Sequence, residues 1–200
     1  NGKIDSQKAW IEKEHSEVII PNKEKKEIAF VVFDPNRQVI KKVNFSRTFE
    51  ELTAQLLESK NMIDRYDALL ELKKTEIGKK RGFLIKSYNQ ETFHLIKAEI
   101  VAQLAEDEVI QSLELIRKAI NDNDVNVRKA VLLNITKINE SMRTDYEKLL
   151  KDSSYQVITI ALENLVYNFP ERTETYLETT NNEWGATGIG IRIKWLEIAF

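Results

Sequence analysis

Two histidines, no cysteine and a few spaced acids are what this chain offers for chemistry. A zinc-peptidase His-Glu-x-x-His motif needs two histidines one helical turn apart, with a glutamate between them as base. His15 and His94 lie 79 residues apart, so no such site forms within the chain. His15, among Glu12, Lys13, Glu14 and Glu17, reads as a solvated loop or edge-strand residue. His94, beside Phe93 at the start of a helix, reads as a partly buried structural histidine. The lack of cysteine excludes a thiol nucleophile, a thiolate zinc site, an iron–sulfur cluster and a disulfide scaffold.

Asp122, Asp124 and Asn126 have the alternating oxygens of a calcium loop, but the sixth position is Val127 rather than Gly and the twelfth is Leu133 rather than Glu. They are expected as turn and N-cap acceptors. Gly185, Gly188 and Gly190 follow a helix instead of a strand, so a flexible inter-helix loop is expected there rather than a phosphate cradle. Lys79-Lys80-Arg81, between Gly78 and Gly82, has no interleaved aromatics and reads as a wet loop, not a nucleic-acid footprint. No catalytic, cofactor-binding or metal-ligating residue is nominated.

The elements that would carry a function are therefore the informative part. Thirty basic against 32 acidic residues leave a net charge of −2, and 42% of the 200 residues are apolar, a globular composition. Six Gly and three Pro favour helix. The longest apolar run, Ile28 to Phe33, is far shorter than the roughly 20 residues of a membrane-spanning helix. The first residues carry no initiator Met, basic stretch or apolar stretch, so the chain is expected to begin inside a longer gene product whose compartment is undecided.

Residues 1–46 have a strand texture: Ala9-Trp10-Ile11, Val18-Ile19-Ile20-Pro21, Ile28 to Phe33, and Val39-Ile40 with Val43 and Phe45. Asp34-Pro35-Asn36-Arg37 reads as the turn of a hairpin. Ile28 to Phe33 is apolar on both faces, as in a covered sandwich strand. The segment is expected to be the end of a β-sandwich that starts upstream. Residues 47–200 read as helix, with Ser46 or Thr48 as N-cap, Glu50 and Glu51 in the first turn, and apolar residues three and four apart at Leu52, Leu56, Met62, Ile63, Leu69, Leu72, Ile96, Ile100, Val101 and Leu104.

Within that half, residues 122–135 lie over 152–165 without a gap at an offset of 30. Further copies put a basic residue at 65, 97, 128 and 192, with Ile158 in the remaining slot, giving spacings of 32, 31, 30 and 34. This period fits pairs of antiparallel helices that bury their apolar faces only by stacking. It predicts one continuous core containing Ile63, Ile100, Val101, Val127, Val131, Ile135, Val157, Ala161, Leu162, Leu165 and Leu196. The Asp–polar–polar–x–x–Val–Arg segment resembles the HEAT repeat, which implies an Asp in the turn before the second helix and an Arg packed along the stack. The fold class expected is mainly α with a small β part, a HEAT-like α-α superhelix after the end of a sandwich.

Phe33-Asp34-Pro35-Asn36, the return strand Val39 to Phe45, Phe49-Glu50-Glu51-Leu52 with Gln55-Leu56, and Asn61 to Leu69 together resemble the region after the catalytic domain in aminopeptidase N-type zinc metallopeptidases. Arg192-Ile193-Lys194-Trp195-Leu196-Glu197 resembles the terminal helix of bacterial members. The resemblance implies a non-catalytic C-terminal part whose partners are the upstream catalytic domain and the peptide substrates of the parent. Zinc belongs to that parent, and this part holds no cofactor. The zinc helix, the exopeptidase motif and the catalytic Tyr have no counterpart here, so no site residue carries over. A free-standing HEAT-repeat scaffold that binds a partner protein is the alternative. Neither nucleic acid nor a membrane span is expected.

Overall fold

The computed structural model describes residues 4–12, 14–22, 25–35, 37–41, 43, 45–183 and 188–200. Helix begins where the capping signals do. The Thr48 side chain accepts from the Glu51 amide while the Glu51 carboxylate accepts from the Thr48 amide, closing a capping box. Ten α-helices follow among the described residues: α1 (Phe49–Glu58), α2 (Met62–Glu71), α3 (Ile77–Gln90), α4 (His94–Leu104), α5 (Ile110–Ile120), α6 (Val125–Asn134), α7 (Arg143–Lys148), α8 (Tyr155–Asn168), α9 (Thr173–Thr180) and α10 (Ile189–Ala199).

They pack as five consecutive pairs in two rows. The second helices α2, α4, α6, α8 and α10 lie side by side in chain order; α1, α3, α5 and α7 form the other row, and α9 packs on α8 and α10. Between the rows runs one apolar cluster that includes Leu56, Leu69, Leu84, Ile100, Val131, Leu132, Val157 and Leu165. The sequence offset has a structural origin. Arg65, Lys97, Arg128, Ile158 and Arg192 are each the fourth residue of a second helix.

Three expectations are corrected. None of the described residues before Phe49 forms a strand. Apolar alternation reports a preference for a pleated, paired surface, and strands form only where a neighbour supplies that pairing. Here Trp10, Ile19 and Ile40 are exposed. Of the proposed hairpin the turn forms: the Arg37 amide donates to the Asp34 carbonyl at 3.0 Å, and the Asp34 carboxylate accepts from the Gln38 and Val39 amides, each at 3.0 Å. Asn36, Lys42, Asn44 and residues 184–187 of the expected glycine loop lie outside the described residues.

Second, Lys79-Lys80-Arg81 is not a loop but lies within α3. A Cβ at Gly78 or Gly82 would meet nothing within 4 Å, so the helix runs through both glycines on an open side. Third, Ile63 and Leu196 are exposed, and Ile135 is only partly buried, whereas the other eight expected core residues are buried. Ile63 is the second residue of α2, a register that is exposed at Leu95 of α4 as well. Leu196 lies on α10, which has a second-helix neighbour on one side only among the described residues.

Candidate functional site

The repeated basic position builds a ladder that ties the first four helix pairs to one another. Arg65 donates from Nε and Nη2 to both oxygens of Glu91, at 2.8 and 3.0 Å, and from Nη1 to the Ser59 and Lys60 carbonyls that close α1. Arg128 repeats this geometry. Its Nε and Nη2 reach Asp152 at 2.6 and 2.8 Å, and its Nη1 reaches the Asp122 and Asn123 carbonyls. Lys97 forms the middle rung, donating to Asp122 Oδ2 at 2.9 Å beside the Tyr88 hydroxyl, which donates to the same oxygen at 2.9 Å. Each acid also accepts backbone amides at the start of the next helix: Glu91 from Thr92 and Phe93, Asp122 from Asp124, Asp152 from Ser154. One carboxylate thus caps its own helix and receives the preceding pair's cation.

Ile158 supplies no rung toward the last pair, and asparagines of α8 reinforce the junction with α6 that Arg128 already ties. Asn164 donates to the Leu132 carbonyl at 2.8 Å, and Asn168 donates to the Thr136 carbonyl while accepting from the Ile138 amide. Along the first-helix row, Arg81 of α3 binds Asp107 through two nitrogens, at 2.5 and 2.9 Å, and Ser112 donates to Asp107 as well. The buried Lys80 ammonium donates to the Leu72 carbonyl and to Gln103 Oε1, each at 2.8 Å. Burial holds its pKa below the usual lysine value.

The residues singled out from the sequence take their places around these ties. Asp124 caps α6 by accepting from the Asn126 amide, and Asp122 is a ladder acid, so the expected turn and cap roles hold. His94 is half-buried at the start of α4, its ring 5.0 Å from that of Phe93 and its Nδ1 3.5 Å from Asp124. His15 is exposed. Among the described residues no group of three or more His, Cys, Asp or Glu could hold a metal ion, and no helix is long and apolar enough to cross a membrane.

No family model and no curated protein matches this chain. A groove of about 480 Å³ between α9 and α10 is lined by Leu177, Trp195 and Ile198 together with Glu174 and Glu178. The second-helix row exposes Leu95, Leu133, Tyr167 and Ile193. Exposed apolar side chains of this kind suit contact with a partner surface.

Sequence reasoning missed Glu91, Asp107, Asn164 and Asn168, and misread Lys80 as a loop residue. A signal existed for the first. Glu91, Asp122 and Asp152 each stand two residues before the N-cap of a second helix, at Phe93, Asp124 and Ser154.

The ladder predicts an acid limb of stability. Burial pushes the Glu91 carboxyl up, but the Arg65 fork and the Phe93 and Thr92 amides outweigh it, leaving a net lowering. Burial likewise opposes, and the Asp124 amide, Lys97 and Tyr88 reverse, the shift at Asp122. The unfolded chain then takes up protons at these groups first as the pH drops. Their stabilisation is present above the unfolded carboxylate value and lost as the pH falls through the lower folded one. The urea midpoint is expected to be flat from pH 7 to about 5 and to fall steeply below about 4. In Glu91→Gln the fall should be shallower; an unchanged slope would show that Glu91 contributes nothing to it.

Proposed function

We propose that this chain is the non-catalytic C-terminal part of an aminopeptidase N-type zinc peptidase, which removes N-terminal residues from peptides. In this reading residues 47–200 form a HEAT-like superhelix that packs on the upstream catalytic domain and limits substrate access. Residues 1–46 complete a β-sandwich in the parent, whose zinc is held upstream. The observation that carries the reading is the ladder: Arg65 and Arg128 make the same four-point contact in helix pairs of constant register, as the HEAT resemblance implies. The exposed apolar side chains of Trp10, Ile19, Ile28 and Ile40 support it, because a preceding sandwich would cover them. The exposed second-helix row around Leu133 and Tyr167 favours the alternative, a free-standing scaffold that binds a partner protein.

The test pairs the natural gene product with the chain alone. The full product is expected to contain His-Glu-x-x-His upstream of Asn1 and to hydrolyse aminoacyl 4-nitroanilides, while the 200-residue chain gives no turnover. Turnover by the chain alone would overturn the accessory role. A natural product lacking the upstream motif would make the scaffold the better account.

A further inference from the structure

The third residue of each second helix is a core position, occupied by Ile96, Val127, Val157 and Ile191 in α4, α6, α8 and α10, all buried. In α2 that residue is Asp64, which is only 2% exposed. Its Oδ1 has no hydrogen-bond partner, and its Oδ2 receives the Ser59 hydroxyl at a long 3.4 Å. A carboxylate in such a place destabilises the fold relative to an aliphatic side chain unless a cation faces it. One does: Nη2 of Arg37 stands 3.6 Å from Oδ1 while the same nitrogen binds Asp67, one turn along α2.

Arg37 does not come from the helical stack. It belongs to the segment that precedes α1, and other polar contacts from that segment converge on the same helix pair. Asn61 Nδ2 donates to the Pro35 carbonyl at 2.6 Å, and Arg47 binds Gln55 at 2.8 Å and also Glu71. The ladder explains why the acids sit on α2 itself. Before α4, α6 and α8 the receiving carboxylate stands two residues before the N-cap. Before α2, whose N-cap is Asn61, that residue is Ser59, which has no charge to offer.

We propose that Asp64 and Asp67 are a docking seat for a guanidinium, that its occupant is Arg37 of the chain's own residues 34–47, and that this contact is an additional rung fixing that segment against the first helix pair. Asp64 is kept at a core position for docking, to the detriment of the stack's own stability. The inference does not rest on the peptidase reading, and its test involves no turnover.

Deuterium exchange over residues 34–47 and the urea midpoint of the helical stack are measured on the whole chain, in Asp64→Ile, Arg37→Gln and the double variant. Asp64→Ile, which installs the residue of the equivalent position in α4, is expected to raise the stack midpoint and to speed exchange in the segment by about tenfold. Arg37→Gln should speed exchange in the segment by a similar factor, and the double variant should add nothing further. Unchanged segment exchange in Arg37→Gln would overturn the proposal. So would a lowered midpoint in Asp64→Ile, which would make the acid an ordinary stabilising group, or fully additive effects in the double variant.

Discussion

Arg128→Ala is expected to lower the unfolding free energy by about 3–5 kcal/mol, read from urea denaturation, because it removes one partner of a largely buried ion pair. The side chains of Arg128 and Asp152 are only 11% and 7% exposed. Without the guanidinium, Asp152 keeps the Ser154 amide but faces no cation, and the Asp122 and Asn123 carbonyls lose their donor. Arg128→Lys should recover less than half of the loss, since a point charge cannot bridge a carboxylate and two carbonyls at once. A cycle with Asp152→Asn should return a coupling of about 2 kcal/mol. The control is Arg117, which meets Asp145 at 3.2 Å with 36% of its side chain exposed; Arg117→Ala should change stability by less than about 1 kcal/mol. If both variants lose equally little, the ladder is a surface ornament and the repeat reading loses its physical basis.

The ladder also shows where sequence reasoning reaches and where it stops. The basic residues at 65, 97, 128 and 192 were legible because each pair reuses one position of one helix, so chemistry and period coincide. Thr48 and Asp124 were legible because a cap is settled within three residues. Lys79-Lys80-Arg81 was misread because its partners are distant: Lys80 is satisfied by Gln103 and Arg81 by Asp107, and no local pattern announces contacts 23 and 26 residues away. The strands before Phe49 were misread for the opposite reason, since strand texture is local while strand formation needs a paired neighbour. Asp64 stands beside Arg65 where the other second helices carry an aliphatic residue. Its meaning emerges only when the third residue is seen to be buried in all five pairs.

Leu162→Ala tests the core on which that register depends. Leu162 is the eighth residue of α8 and fully buried, as are Leu69, Val101 and Leu132 at the eighth residue of α2, α4 and α6. It lies in the cluster between the two helix rows together with Val131, Ala161 and Leu165. Truncation there loses the transfer free energy of the removed carbons and leaves a cavity that stacked helices cannot close, so a loss of about 3 kcal/mol is expected. Leu196 occupies the same position in α10 but is 39% exposed. Leu196→Ala should therefore lose less than about 1 kcal/mol, because solvent fills the space and few packing contacts disappear. The contrast between two leucines of identical register separates burial from sequence periodicity. Equal losses would mean that α10 is covered as α8 is, and the exposed end of the second-helix row would then be occupied in the folded protein.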